Sequence, residues 1–352
     1  MTQFALTALV PLFMAIAFFW KARVAPVDNP PFMSKGFTDT LKGLCAIIVV
    51  MVHFRPEYQN PLQDAMGGFA YVAVTFFFLF SAYGMQWSLA NKNDYLKHFW
   101  KGRLVSLLLP AVLINVSFFI IQSLYLGELQ LRTLIYANDY VVVLLEYCLL
   151  FYVVMRYCQI RHVDNLKYAW LLIAVIIIVS SLLLYFLTVY VDGRHGTNWC
   201  FERYGLIWGL ALFAFFPGIK RWLGQGTLLK LVLAGIVSAV LGYIYIKGGK
   251  YTYFWGEYVL KIALGLSLLV TVLLLTRRLN IGNRITSFLG SISYEIYLSH
   301  AWVMYLLAHF FPELGSGVFI IATYCVTILF SFIIHKIVIY IKPFFAVKSL
   351  RS

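Results

Sequence analysis

Long apolar runs separated by short polar stretches occupy most of the chain. An α-helix needs about 20 apolar residues to cross a bilayer, whereas a transmembrane barrel shows short alternating segments. Proline, glycine and charge clusters between the runs mark where helices begin and end. The pattern predicts an all-α integral membrane protein, a polytopic bundle of about eleven transmembrane helices near residues 3–20, 38–54, 68–90, 103–126, 135–157, 167–190, 203–217, 227–246, 256–276, 286–310 and 315–341.

The charges that flank these runs predict the orientation of the bundle. Basic residues follow the first run instead of preceding it, which is the reverse of a signal peptide. We therefore interpret this run, Phe4 to Trp20, as a retained helix with its N-terminus outside. Nineteen Lys and Arg residues then fall on the inner side and seven on the outer side. This excess agrees with the positive-inside rule and predicts a cytoplasmic C-terminus.

Composition excludes an ordinary soluble enzyme. Apolar residue types make up 62% of the chain, charged types make up 12%, and the mean hydropathy is +0.83. The net charge of +14 is accounted for by topology-setting cations, so the expected partner is the lipid bilayer and not nucleic acid. The five cysteines include no CxxC pair, and no metal-ligand spacing appears. We expect no bound metal and no bound cofactor.

Ionisable side chains inside a membrane span are costly and are therefore functional candidates. In the second run, Lys42 and His53 are eleven residues apart. That spacing places both on one helix face, about 16 Å apart along the axis. Lys42 then lies near the inner surface, and His53 lies beyond the midplane. In the alternative reading, Lys42 only anchors the topology and His53 is an interfacial residue.

Two further runs place polar residues at middle depth. In the tenth run, Ser293, Tyr297 and His300 share one helix face at spacings of four and three. The third run contributes Ser81 and Tyr83. The alternatives are that His300 only bonds a neighbouring helix and that the third run presents a packing face.

Charged residues mark the fourth, fifth and seventh runs. Glu146 is the most anomalous residue, because an acid near the midplane must be protonated, paired or hydrated. Arg103 opens the fourth run at the inner face, where it is a topology charge or part of a site. Glu202 and Arg203 lie at an outer helix end, where they form a local pair or line an outward opening.

The residues predict a buried polar site with a positive cytoplasmic mouth. Its proposed members are His53, His300, Ser81 and Glu146 near mid-membrane, with Lys42 and Arg103 at the mouth. A histidine base with cations below it suits a reaction between an anionic cytosolic donor and a hydroxyl acceptor from outside. The same layout suits a proton-coupled transporter, and the residues alone do not separate the two.

At these positions the chain resembles the membrane-bound acyltransferase family 3, whose members O-acylate bacterial surface glycans. The family's first motif has Asp, then Arg-Gly, then His; its counterparts here are Asp39, Lys42, Gly43 and His53. Its second motif, Phe-Phe-x-x-Ser-Gly-Tyr, is matched by Phe77, Phe78, Ser81, Ala82 and Tyr83. Its third motif places paired Arg before Pro; this chain has Arg103, Ser106 and Pro110.

The tenth run gives the closest match, because residues 293–300 follow the family's Ser-Tyr-x-Ile-Tyr-Leu-x-His. Residues 198–213 resemble the aromatic segment that leads into a glycine-bearing span, with Trp199 and Gly209. The resemblance divides the chain into an additional N-terminal helix (1–22), a ten-helix acyltransferase domain (36–341) and a cytoplasmic tail (342–352).

The resemblance implies an enzyme of the bacterial inner membrane. It would carry an acyl group from cytoplasmic acyl-CoA, usually acetyl-CoA as co-substrate, to a hydroxyl of an extracytoplasmic glycan. His53 would be the general base, with Lys42 and Arg103 holding the phosphates of the donor. Tyr297 or His300 would donate to the thioester oxygen as charge develops.

Five more residues are expected to line the pocket: Asp39, Ser81, Tyr83, Glu146 and Glu202. Of these, Glu146 has no counterpart in the family motifs. The alternative function is a membrane transporter or exporter of a polysaccharide or its precursor, in which Glu146 would serve a proton relay.

Overall fold

The structure is a computed structural model that describes residues 2–24, 33–127, 129–163, 166–192 and 199–345. These residues form an all-helical fold, with 83% helix. Their α-helices are α1 (Thr2–Phe19), α2 (Lys35–Val52), α3 (Pro61–Gly67), α4 (Ala70–Asn91), α5 (Phe99–Ile121), α6 (Asp139–Ile160), α7 (Leu166–Asp192), α8 (Tyr204–Ala214), α9 (Phe216–Gly224), α10 (Thr227–Ile246), α11 (Lys261–Arg278), α12 (Arg284–Ser291), α13 (Ser293–Phe310) and α14 (Ser316–Phe345).

Short helical turns and one strand pair complete the described chain. The 3-10 turns are Pro56–Tyr58, Leu131–Thr133 and Gly249–Tyr251, and the π-helical turns are Gln122–Leu126 and Trp255–Leu260. Strand β1 (Arg23–Val24) pairs antiparallel with β2 (Leu279–Asn280). We call the end of the bundle that carries this pair the strand end.

The described residues contain seven helical stretches that are long and apolar enough to cross a membrane. An eighth results if α8 and α9, which bend by 84° at their junction, form one broken span. The seven stretches are Pro61–Asn91, Phe99–Tyr125, Asp139–Ile160, Leu166–Val191, Thr227–Ile246, Trp255–Arg278 and Ser316–Phe345. The polytopic α-helical bundle is confirmed at this level, while the eleven crossings and their orientation stay predictions.

Several helix boundaries differ from the sequence expectation. The predicted helix at 286–310 is divided at Ile292 into α12 and α13. The predicted helix at 203–217 ends at Ala214, before the bend into α9. Helix α14 continues past the predicted end at residue 341, through Lys342 to Phe345. Residues 346–352 of the predicted tail lie outside the described residues.

Helix α2 lies at the centre of the bundle, where α4, α12 and α13 pack against it. Its close approach to α12 depends on two glycines. A Cβ on Gly43 would lie 2.9 Å from the backbone nitrogen of Gly290, and a Cβ on Gly290 would overlap the carbonyl oxygen of Asp39. Because no side chain separates the two backbones, the following helix α13 is held against the end of α2.

A second pair of glycines joins α4 to α8. A Cβ on Gly205 would overlap the carbonyl oxygen of Thr75, and one on Gly209 would overlap that of Leu79. We expect Gly209→Val to lower the free energy of unfolding by about 3 kcal/mol, because backbone cannot move aside as a flexible side chain does. Thermal unfolding in detergent measures the loss.

The matched control for this substitution is Gly235→Val on α10, where an added Cβ meets nothing within 4 Å. A Gly209→Val protein with the unfolding midpoint of the Gly235→Val protein would contradict the proposed contact.

Candidate functional site

Two histidines from distant parts of the sequence meet in the bundle. His53 caps the C-terminal end of α2, and His300 lies in the middle of α13. Their ring centroids are 4.6 Å apart, with an interplanar angle of 60°. His300 is 3% exposed, whereas His53 is exposed. The structure therefore brings together the two histidines that the sequence singled out, and His53 is the accessible one.

Backbone contacts fix the tautomer of both rings. The Nδ1 atom of His53 lies 3.0 Å from the carbonyl oxygen of Val49, and that of His300 lies 3.1 Å from the carbonyl oxygen of Ile296. A carbonyl oxygen only accepts hydrogen bonds, so Nδ1 carries the proton in each ring. In the neutral rings Nε2 is then unprotonated and able to accept a proton. The Nε2 atom of His300 is buried without a hydrogen-bond partner among the described residues.

Tyrosines connect the histidines to Ser81 of the second motif. The ring of Tyr297 is centred 5.8 Å from His300 and 4.5 Å from Tyr140 of α6. The hydroxyl of Tyr140 forms a hydrogen bond with Ser81. Ser81 therefore belongs to the same polar group as Tyr297, whereas the ring of Tyr83 packs against Phe213 of α8, 5.7 Å away.

Tyr140 was missed by the sequence reasoning, and no local signal identifies it. It is one of 24 tyrosines, and it begins an apolar run without a neighbouring motif. Glu295 and His335 are a pair that the sequence analysis also missed. They did carry a sequence signal, because both are titratable residues inside predicted spans. His335 Nδ1 lies 2.8 Å from the Glu295 carboxylate, which joins α13 to α14.

The predicted cations lie toward the strand end. Lys42 forms an ion pair with Asp39 at 3.7 Å and interacts electrostatically with Arg103. The Arg103 guanidinium donates a hydrogen bond to the Tyr95 hydroxyl at 3.0 Å and lies over the ring of Phe99. The Lys42 ammonium and the Arg103 guanidinium therefore lie close enough to interact, and their role in holding the phosphates of a donor stays a prediction.

A cavity of about 610 Å³ opens beside Arg103. Its lining includes three aromatic or histidine rings and four cations: Tyr95, His98, Phe99, Lys92, Lys101, Arg103 and Lys342. Lys42 is not part of this lining. The sequence alone gives the additional lysines no role beyond setting the topology. The cavity has the charge and size to hold the phosphates and part of a nucleotide.

The remaining acids lie on the side of the bundle where α6 meets α8. Arg203 donates to the Glu146 carboxylate at 2.9 Å, with the Arg203 side chain 11% exposed and Glu146 50% exposed. The sequence had left open a pairing of Arg203 with Glu202, but the ion pair that forms is with Glu146. Glu146 is thus paired, which is one of the states that an acid in a span can adopt.

Glu202 lies in the segment between α7 and α8 and is 9% exposed. Its Oε2 atom has no hydrogen-bond partner among the described residues. Burial raises the pKa of the Glu202 carboxyl to about 7, against the opposing influence of Lys261 and Arg203. Tyr297 interacts electrostatically with Glu202, so this acid is close to the tyrosine beside His300.

Within the described residues, no group of three or more His, Cys, Asp or Glu side chains is arranged to hold a metal ion.

Comparison with protein families gives one match. The family model described as "Acyltransferase domain" matches residues 36–336. Comparisons with curated proteins and with solved structures give no match. The matched range contains both histidines, Lys42, Arg103 and the acids of the site, and it leaves α1 outside the family domain.

Proposed function

The chain belongs to this acyltransferase family, and we propose that it is an integral membrane O-acyltransferase with His53 as its general base. The donor would be cytoplasmic acyl-CoA, most simply acetyl-CoA, and the acceptor a hydroxyl of an extracytoplasmic cell-surface glycan. The observation that carries the proposal is the His53–His300 pair, in which both Nδ1 atoms are bonded and both Nε2 atoms are left as bases. We place the protein in a bacterial inner membrane on the family resemblance.

The proposed acyl transfer needs no catalytic group other than the side chains of the site. His53 Nε2 takes the proton of the acceptor hydroxyl while the hydroxyl oxygen attacks the thioester carbonyl carbon. The carbon–sulfur bond then breaks, and the CoA thiolate recovers the proton from His53. The products are an ester and free CoA, and no proton is gained or lost overall.

The thioester oxygen becomes an oxyanion during attack and needs a hydrogen-bond donor. Tyr297 is the better candidate of the two that the sequence offered, because the Ile296 carbonyl holds the His300 proton on Nδ1. A neutral His300 then presents only a lone pair at Nε2. We assign to His300 the role of positioning the His53 ring, with which it is in edge contact.

The donor site that we propose is the cavity beside Arg103. Cations surround this cavity, and the acyl-CoA phosphates are the anions that the reaction brings. The strand end, with its many Lys and Arg residues, would be the cytoplasmic face. Lys42 keeps the charge of the family's arginine but lacks its bidentate geometry, so we expect Arg103 to contribute more to donor binding.

The test is acyl transfer by membranes that contain the protein. We expect label from acetyl-labelled acetyl-CoA to appear in a glycan extract of the host, and to be absent with membranes that lack the protein. Longer acyl-CoAs in parallel reactions identify the chain length. A folded protein that labels no glycan with any acyl-CoA would overturn the proposal.

The transporter alternative loses the observation that motivated it. A proton relay needs an acid that is free to gain and lose protons, but Glu146 is ion-paired with Arg203. Substrate flux in the absence of any acyl donor would restore the transporter reading.

A further inference from the structure

Three buried polar atoms on one side of the bundle lack hydrogen-bond partners among the described residues. They are the hydroxyl of Tyr147, Nε of Arg203 and Oε2 of Glu202. Together they offer a hydroxyl, an N–H donor and a carboxylate acceptor. An unsatisfied buried polar group costs free energy, so native proteins contain few of them. Three in one neighbourhood indicate a site for a polar ligand.

The three atoms belong to side chains that are close together. The Arg203 guanidinium lies 5.7 Å from the ring centroid of Tyr147. It also donates a hydrogen bond to the carboxylate of Glu146, the residue that precedes Tyr147. Tyr147 also interacts electrostatically with Glu202. The ion pair with Glu146 uses one terminal nitrogen of Arg203, so the guanidinium is held in place while Nε remains available.

Aromatic rings stand beside this group. The ring of Phe78 is 4.8 Å from Tyr147, 5.1 Å from Tyr140 and 6.0 Å from Trp199. Trp199 adopts a left-handed backbone conformation, with φ of 60°. A bulky residue held at positive φ is strained, and such strain is concentrated at functional sites.

The same rings lead to the histidine pair. Tyr140 contacts Tyr297 at 4.5 Å, Tyr297 contacts His300 at 5.8 Å, and His300 contacts His53 at 4.6 Å. Glu202 interacts electrostatically with Tyr297. A glycan that presents one hydroxyl to His53 and extends along these rings would therefore reach Tyr147, Glu202 and Arg203 with groups farther along its chain.

We propose that Tyr147, Glu202 and Arg203, with the Trp199 ring, form the acceptor subsite and select a neutral sugar unit with adjacent hydroxyls. This inference rests on the proposed function. A sugar ring offers apolar C–H faces to aromatic rings and hydroxyls that both donate and accept. A fatty alcohol has no second hydroxyl to satisfy three polar atoms, so a lipid acceptor fits poorly.

Charge balance favours a neutral sugar over an acidic one. Glu146 already neutralises Arg203, and Lys261 of α11 is the cation that faces Glu202. The other titratable groups that interact with Glu202 are neutral donors, namely Tyr71, Tyr147, Tyr245, Tyr297 and Cys200. With Glu202 ionised, the two acids Glu146 and Glu202 balance the two cations Arg203 and Lys261, so no net positive charge attracts a sugar carboxylate.

The experiment measures acetyl transfer to oligosaccharides released from the host envelope and separated by anion exchange into neutral and acidic fractions. We expect label in the neutral fraction. In Tyr147→Phe and Glu202→Gln, the acceptor KM should rise at least tenfold, while the acetyl-CoA KM stays unchanged. Tyr157→Phe, an exposed position on the same helix α6, is the matched control.

The pH dependence of the acceptor KM tests whether Glu202 binds the acceptor or only supports the fold. Because burial raises the pKa of Glu202 to about 7, its carboxylate fraction grows as the pH rises through that value. A carboxylate accepts a stronger hydrogen bond than a carboxylic acid. The acceptor KM should therefore fall as the pH rises through about 7 in the wild type, and Glu202→Gln should remove this dependence.

The negative results distinguish a wrong acceptor subsite from a wrong proposed function. An unchanged acceptor KM in both variants, or label found only in the acidic fraction or in lipid, would overturn the subsite while acyl transfer stands. A wild type that labels no fraction would overturn the proposed function and the subsite with it. Detergent gel filtration of the variants excludes misfolding as the cause of a raised KM.

Discussion

Replacing His53 by alanine should reduce acetyl transfer by about 10³-fold, because general base catalysis by a positioned side chain contributes roughly 10² to 10⁴ in rate. Alanine removes the accessible Nε2 lone pair and leaves His300, whose Nε2 is buried. The rate is measured as label transferred from acetyl-CoA to glycan at saturating concentrations of both substrates. The acetyl-CoA KM should change little, since His53 is not part of the cationic cavity beside Arg103.

The control for His53 is His309→Ala, an exposed histidine near the C-terminal end of α13. It tests whether the loss of any histidine from these helices impairs the protein. Both variants should insert into membranes and run as single species in detergent. A His53→Ala protein that is folded and retains more than a tenth of the wild-type rate would exclude His53 as the base.

Replacing Arg103 by glutamine should raise the KM for acetyl-CoA by roughly tenfold to a hundredfold, which corresponds to about 1.4 to 2.7 kcal/mol. The guanidinium borders the 610 Å³ cavity, and its contacts with Tyr95 and Phe99 hold it there. Charge-assisted bonds from Arg to phosphate are among the stronger hydrogen bonds in proteins. Arg103→Lys should give an intermediate KM, because the charge remains while bidentate geometry is lost.

S-acetylpantetheine, which lacks the nucleotide and its phosphates, makes the test specific. The wild type and Arg103→Gln should use this donor equally well if Arg103 binds phosphate. The matched control is Lys97→Gln, whose exposed side chain pairs with Asp94 and is not part of the cavity lining. An equal loss with both donors would mean that Arg103 supports the fold instead of the phosphates.

The helical nature of the chain could be predicted from the sequence because hydrophobic run length reports directly on membrane crossing. The weaker predictions are the boundaries. The break at Ile292 has no proline or glycine at that position, and it depends on the packing of α12 against α2 through Gly290 and Gly43. Such a contact joins residues nearly 250 positions apart and leaves no local pattern.

The candidate site could be predicted in part. Lys42, His53 and His300 stand out because a titratable residue in an apolar run is costly wherever it occurs. The pairing of the acids could not be predicted in the same way. Adjacent Glu202 and Arg203 invited a local pair, but Arg203 reaches Glu146 on another helix and leaves Glu202 without that partner. Tyr140 and Tyr147 carry no sequence signal at all.

The sequence by itself determined that this protein is an α-helical membrane protein, because apolar run length is a one-dimensional quantity, and its match to the family model assigned it to the acyltransferase family. It also determined which helices carry the ionisable residues. Only the tertiary structure decided which of those residues meet. The His53–His300 contact, the Glu146–Arg203 ion pair and the cavity beside Arg103 depend on how helices pack in three dimensions. Periodicity fixes the face on which a side chain lies but not the helix that this face will meet.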